Sequence, residues 1–194
     1  MPADGIRLIV GLGNPGTQYA KTRHNVGAWL VNELASHNNV ILKQNKKLFG
    51  RTEKVLISSI PIHLFIPDTY MNESGKAVLA VSQYYKLSPS QILIAHDELD
   101  FPTGTCKLKS GGGHGGHNGL RDIKARLGRQ DFHRLRIGIS HPGNKNKVTQ
   151  HVLNSPTTDE EIEIHQSINS GLSVLDLLAL GQFEQAYLKL HSED

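Results

Sequence analysis

The sequence predicts an α/β fold, with one mixed, largely parallel twisted sheet flanked by helices in a single domain spanning residues 1–194. Segments with the alternation of strands and segments with the spacing of helices follow one another along the whole chain. Polar residues gather just past the ends of predicted strands, where open α/β sheets place their functional sites. A length of 194 residues also suits one hydrophobic core.

The first half of the chain begins with a short apolar strand and a strong turn signal, GNPG. Apolar residues then recur at helical spacing, at Val26, Trp29, Leu30 and Leu34. The predicted elements of this half are the strand 8–11, the turn 13–16, the helix 25–36, the paired strands 52–58 and 62–66 around Pro61, and the helix 74–86.

The second half contains a glycine-rich loop, SGGGHGGHNG, between a strand and a helix. Its predicted elements begin with the strand 92–95, which ends at His96 and Asp97, the strand 105–109 and the loop 110–119. They continue with the helix 120–127, which stops at Gly128, and with a strand in which Leu135, Ile137 and Ile139 alternate with polar residues or glycine. From Asp159 onward, one helix with an apolar face is predicted from Ile162, Ile168, Leu172, Leu175 and Leu178.

Composition restricts the class of protein and its compartment. The single cysteine, Cys106, allows no intramolecular disulfide and suits a reducing compartment. The sequence shows no signal peptide and no run near the ~18 apolar residues of a membrane span, so we expect a cytoplasmic protein without membrane contact. The formal charge of +3 permits a polyanionic partner without requiring one.

Two motifs suggest other kinds of site. Gly11, Gly13 and Gly16 have the G-x-G-x-x-G spacing of a dinucleotide-binding loop, but Pro15 removes a phosphate-binding N–H and the expected acidic residue, Glu33, lies in a helical pattern. A metal site is a second alternative, since histidines 114 and 117 are spaced i, i+3 and histidines 24 and 96 occur elsewhere with Asp97. We expect no metal, because the neighbouring glycines should leave both loop histidines poorly held.

Covalent nucleophiles are hard to identify, since no G-x-S-x-G elbow occurs and Cys106 lies in a strand pattern. Hydrolysis would then use water activated by a base with a pKa near neutrality, a carboxylate to orient that base, and donors for an oxyanion. His24, between the first strand and its helix, and Asp97, past a buried strand, are candidates. Three asparagines at turns or caps could donate amide hydrogen bonds, although each also has an ordinary structural explanation: Asn14, Asn72 and Asn118.

Five blocks of sequence resemble, in order and spacing, the signature blocks of the bacterial peptidyl-tRNA hydrolase family. They are GLGNPGTQYAKTRHNVG (11–27), TYMNESG (69–75), HDELD (96–100), GGGHGGHNGLR (111–121) and FHRLRIGISHP (132–142). The resemblance covers nearly the whole chain and weakens after about residue 153.

The resemblance implies a role for each matching residue. His24 is expected to activate water, Asp97 to hold and stabilise His24, and Asn14 to discriminate peptidyl-tRNA from free aminoacyl-tRNA. Contacts with the tRNA end or the peptide are implied for Tyr19, Tyr70 and Asn72, and Asn118 is implied to be a further substrate-binding amide that helps to position the water. An apolar wall beside the base is implied for Met71, and acceptor-stem contacts for Lys109 and Arg136.

The activity implied is hydrolysis of the ester between a peptide and tRNA, without a cofactor, to recycle tRNA from peptides released by or stalled on ribosomes. We expect a monomer that binds the acceptor stem and CCA end of peptidyl-tRNA. Two alternatives remain: a dinucleotide-dependent oxidoreductase, which would bind NAD(P), and a non-catalytic RNA-binding module, which would leave the ester intact.

Overall fold

A computed structural model describes residues 4–192 and confirms the predicted α/β fold. Seven strands form one mixed sheet, and their bounds are β1 Leu8–Gly11, β2 Lys43–Asn45, β3 Gly50–Ile57, β4 Ile60–Pro67, β5 Ile92–Glu98, β6 Cys106–Ser110 and β7 His133–Gly138. The helices are α1 Val26–His37, α2 Ser74–Tyr84, α3 Asn118–Leu127, α4 Val148–Val152, α5 Thr158–Leu172, α6 Leu175–Ala179 and α7 Phe183–His191.

The strand order is β2-β3-β4-β1-β5-β7-β6. The four central strands β4, β1, β5 and β7 are parallel, whereas β2, β3 and β6 pair antiparallel with their neighbours. Both faces of the sheet are covered, which explains why central strands such as LIVG are apolar at every position. Residues of α1 and of α5 to α7 form the core on one face, and residues of α2 and α3 form the core on the other.

Two predicted boundaries were wrong. The fifth strand continues through His96 and Asp97 because β7 supplies backbone partners there, pairing His96 with Arg136 and Asp97 with Ile137. The predicted tail helix is two helices, since α5 ends at Leu172 and α6 begins at Leu175. Ile162 also lies outside the apolar face, with 54% of its surface exposed.

The structure matches the other elements closely, and it adds short ones that periodicity did not predict, β2, α4 and α7. Helix α3 begins two residues earlier than predicted, at Asn118, and Gly128 ends it in the left-handed conformation. Within residues 4–192, no helix has the length and apolar character needed to cross a membrane.

Candidate active site

A cleft of about 970 Å³ opens at the carboxyl ends of the parallel strands β1, β4 and β5. The segments that follow β1 and β4, the end of β5, and the N-terminus of α3 all contribute to its walls. The structure brings together here eight of the predicted site residues: Asn14, Tyr19, His24, Tyr70, Met71, Asn72, Asp97 and Asn118. The other two, Lys109 and Arg136, lie outside its lining.

His24 and Asp97 form a buried pair at the cleft. Nδ1–H of His24 donates to Oδ2 of Asp97 at 2.9 Å, and the two side chains are only 10% and 2% exposed. Burial alone would lower the pKa of His24, but the charge and hydrogen bond of Asp97 outweigh it and raise that pKa above its ordinary value. Burial would conversely raise the pKa of Asp97, yet His24 and His117 hold it well below its usual range. The pair therefore favours a charged carboxylate and leaves Nε2 of His24 to accept a proton.

Close backbone packing places His24 beside Asp97. His24 lies in the 3-10 turn Arg23–Asn25, directly before α1. A Cβ on Gly27 would fall 2.1 Å from the carbonyl oxygen of Ala95 in β5, and one on Gly11 would fall 2.4 Å from the carbonyl oxygen of Gly27. These glycines let the start of α1 approach β1 and β5, so helix packing accounts for the first glycine of the dinucleotide-like motif.

A second histidine, His117, contacts the same carboxylate and was missed as a site residue. Its Nε2 lies 2.8 Å from Oδ1 of Asp97, and its Nδ1 accepts hydrogen bonds from the backbone N–H groups of Gly119 and Leu120. The expectation that glycines leave this ring poorly held was therefore wrong, because His117 is the N-cap of α3. Because the helix was predicted to begin at Leu120, two residues too late, His117 was not recognised as its N-cap.

His24, Asp97 and His117 could in principle hold a metal ion, since one ligand atom from each lies within 4.8 Å of the others. Their hydrogen bonds point to a different use. With Nδ1 of His117 accepting two backbone N–H groups, Nε2 carries the proton and donates to Asp97, whereas a ligand nitrogen needs a free lone pair.

Asn14 is oriented by a network that the sequence did not reveal. Its amide oxygen accepts a hydrogen bond from the backbone N–H of Met71 at 2.7 Å, which directs the NH₂ group elsewhere. Its backbone N–H donates to Oδ1 of Asn25, and Nδ2 of Asn25 donates back to the carbonyl of Asn14. Asn14 therefore presents an amide donor in the cleft, fixed from both ends.

The remaining walls combine aromatic, apolar and amide groups. The rings of Tyr19 and Tyr70 meet edge to face with centroids 6.3 Å apart, and Tyr70 is 54% exposed. The Met71 side chain is buried against Gly119. Asn72 and Asn118 are both exposed at the cleft.

His96 packs behind this group. Its Nδ1–H donates to the backbone carbonyl of Asp97 at 2.8 Å, while Nε2 is buried without a protein partner among the described residues. Burial, together with the nearby guanidinium of Arg134, keeps its pKa well below the ordinary value, so the ring is neutral at pH 7.

Of the two predicted basic contacts, Lys109 lies on the edge strand β6 and Arg136 on β7, the strand beside it. Lys109 approaches the glycine-rich loop, because a Cβ on Gly112 would fall 2.6 Å from its Cε. Arg136 donates to Glu98 at 2.9 Å and stacks on Phe101, with its guanidinium carbon 4.5 Å from the ring centroid. Glu98 lines the cleft, so Arg136 borders it through an ion pair.

Together, a buried histidine–aspartate pair and converging amides at the carboxyl end of an α/β sheet define a hydrolytic class of enzyme. The family model described as peptidyl-tRNA hydrolase matches residues 8–194. The chain belongs to the peptidyl-tRNA hydrolase family, whose enzymes hydrolyse the ester bond of peptidyl-tRNA.

Similar proteins agree over almost their full length. The chain is 52% identical over 188 residues to peptidyl-tRNA hydrolase of Coxiella burnetii, covering 97% of this chain and 98% of that protein. For the enzyme of Proteus mirabilis the identity is 50%, with 96% and 97% covered. The crystal structure of peptidyl-tRNA hydrolase from Acinetobacter baumannii has a TM-score of 0.93 and 48% identity, with 96% of this chain and 95% of that chain covered.

Proposed function

We propose that the ester between the peptide and the tRNA ribose is cleaved by water that His24 deprotonates, without a covalent intermediate. The observation that carries this proposal is the 2.9 Å hydrogen bond from Nδ1 of His24 to Asp97. Because that bond occupies Nδ1–H, Nε2 has the lone pair that takes a proton from water. Asp97 then stabilises the imidazolium by charge and keeps the ring in one tautomer.

Amide groups act on the ester in this mechanism. The NH₂ group of Asn14 binds the peptide carbonyl next to the ester and so distinguishes an N-blocked substrate from a free amino group. Asn118 positions the water or the developing oxyanion, and Asn72 binds the tRNA end or the peptide. The supporting observation is that all three amides line the cleft that contains His24.

Aromatic and apolar side chains hold the substrate ends. Tyr19 and Tyr70, in edge contact, bind the terminal nucleotide or the peptide, and Met71 forms the apolar wall beside the base. Lys109 and Arg136 hold acceptor-stem phosphates without reading sequence. We further propose a single-domain cytoplasmic monomer that needs no metal or cofactor.

The test is ester release from N-acetyl-aminoacyl-tRNA, with unblocked aminoacyl-tRNA as the control substrate. The wild-type protein is expected to cleave only the blocked ester efficiently. His24→Asn is expected to lose about 10²–10⁴ in kcat while still binding a non-hydrolysable conjugate, since it keeps a polar group but accepts no proton. A folded His24→Asn protein that kept more than about a tenth of the wild-type kcat would contradict the general-base role.

A further inference from the structure

We propose that His117 is a positioning residue that donates a neutral hydrogen bond to Asp97 and thereby joins the N-terminus of helix α3 to the base His24. This inference rests on the proposed roles of His24 and Asp97. It assigns to the histidine before Asn118 a task that is distinct from proton transfer.

The hydrogen bonds of the His117 ring determine its tautomer. The backbone N–H groups of Gly119 and Leu120 both point to Nδ1, at 3.1 and 3.3 Å. A nitrogen that accepts two N–H donors carries no hydrogen, so the ring proton is on Nε2. Nε2–H therefore donates to Oδ1 of Asp97, 2.8 Å away.

Each oxygen of Asp97 is thus matched to one imidazole. Oδ2 accepts from His24 and Oδ1 accepts from His117, and the carboxylate between them is 2% exposed. Two donors fix the rotation of the carboxylate, which in turn fixes the ring of His24. The bond from His117 also disperses part of the negative charge, so Asp97 stabilises the imidazolium of His24 less than it would alone.

The same residue connects the base to the substrate side of the cleft. His117 caps α3, and Asn118 is the first residue of that helix. The His117 ring also contacts the His24 ring, with centroids 5.1 Å apart. A displacement of the α3 N-terminus would therefore disturb both the amide of Asn118 and the carboxylate that orients the base.

Other ionisable groups surround this cluster and remain constant in a His117 variant. The His96 ring, neutral and buried, has its centroid 5.2 Å from that of His117, and the charge of Arg134 acts on His96. The further charged or titratable groups that line the cleft are Tyr19, Tyr70, Glu73, Glu98, Asp100, His114, His141 and Lys145. Because these groups are the same in every variant, a change in the pH profile that occurs only when the His117 donor is removed can be assigned to that donor.

A matched pair of substitutions separates the two hydrogen bonds of His117. In His117→Asn the short amide can still accept from the α3 backbone at the place of Nδ1, but nothing donates at the place of Nε2. In His117→Gln the longer amide places an N–H donor near Oδ1 of Asp97. Loss of the donor should strengthen the attraction of Asp97 for the His24 proton.

The measurement is kcat/KM against pH on N-acetyl-aminoacyl-tRNA for both variants, wild type and Asp97→Asn. His117→Asn is expected to move the rising limb up by roughly half to one pH unit, whereas His117→Gln stays near wild type. Asp97→Asn should move the limb in the opposite direction. If both His117 variants kept the wild-type limb, or moved it equally, the proposal would be wrong. A wild-type limb in Asp97→Asn would instead contradict the proposed function.

The tautomer can be read without any variant. Long-range ¹H–¹⁵N spectra of the wild-type protein at pH 7 should show Nε2 of His117 protonated and Nδ1 not. A proton on Nδ1 would overturn the proposal even if a variant failed to fold.

Discussion

The buried carboxylate of Asp97 accepts hydrogen bonds from both His24 and His117 and so links the two imidazole rings. Its charge is what raises the pKa of His24 against the effect of burial, which lowers it. Removing that charge would leave burial dominant, so the pKa of His24 would fall below its ordinary value.

Asp97→Asn is therefore expected to be slow and to have a rising limb of kcat/KM displaced toward lower pH. The direction follows because a carboxylate favours the imidazolium and an amide does not. The measurement is kcat/KM from pH 5 to pH 9, with circular dichroism to show that the variant is folded. An unchanged rate with an unchanged limb would mean that Asp97 does not act on His24.

Metal removal tests whether His24, Asp97 and His117 bind a metal ion. Since Nε2 of His117 carries a hydrogen that donates to Asp97, this nitrogen has no lone pair for a metal ion. We expect incubation with EDTA, followed by its removal, to leave the rate of ester release unchanged. Activity that fell on chelation and returned with zinc would support a metal centre built from His24, Asp97 and His117.

At the scale of elements, the approach of α1 to the sheet determines where His24 lies. Gly27 permits this approach, since an added Cβ would be 2.1 Å from the Ala95 carbonyl oxygen. That oxygen belongs to the backbone of a central strand, so it cannot easily move away. Gly27→Ala is expected to destabilise the fold by about 1–3 kcal/mol, as overpacking does, and to lower kcat by moving the turn that carries His24.

The matched control is Gly113→Ala, because a Cβ there would meet nothing within 4 Å. Chemical denaturation of both variants measures the free energy of unfolding. Equal stability of the two variants would show that α1 does not pack on β5 as closely as described.

The elements were predictable from sequence where side chains repeat with a clear period. The strands β1 and β5 and the helix α2 are such cases, because the spacing of their apolar residues indicates which faces are buried. The extension of β5 through Asp97 was not predictable, since it depends on pairing with β7 far along the chain. The break between α5 and α6 was missed because apolar spacing continues across it.

The residues of the candidate site also divide into those that the sequence indicated and those whose contacts arise only on folding. His24, Asp97 and Asn14 were predicted through the resemblance and through the chemistry of their side chains, and the structure places them at one cleft. His117 and Asn25 were not assigned roles, because their hydrogen bonds depend on backbone positions brought together by folding. A histidine at an N-cap is an uncommon pattern, and the predicted helix start concealed it.

Across the whole molecule, positive charge collects at one edge of the sheet. Register pairs Lys107 with Arg136 and Lys109 with Arg134 across the edge strand β6 and its neighbour β7. Within residues 4–192, Glu98 forms an ion pair with Arg136 of this group at 2.9 Å. The formal charge of the chain is only +3, so the arrangement matters more than the total.

Binding of tRNA to this edge should therefore depend on salt through Lys109 and Arg136. Each phosphate contact releases condensed counterions, so Lys109→Ala should weaken binding and flatten the slope of log K against log salt by roughly one unit or less. Arg136→Ala should have a smaller effect, because its guanidinium is already paired with Glu98. Neither substitution should change kcat appreciably, since neither residue lines the cleft.

The control is Lys54→Ala, because this exposed lysine lies on β3, near the opposite edge of the sheet. The measurement is Kd against salt with a non-hydrolysable tRNA conjugate for wild type and the three variants. A minimal ester without the acceptor stem should be cleaved equally by all of them, since it offers no stem phosphate to hold. Parallel slopes and equal affinities for all three variants would remove Lys109 and Arg136 from the tRNA-binding surface, and a slope changed equally by Lys54→Ala would show that only net charge matters.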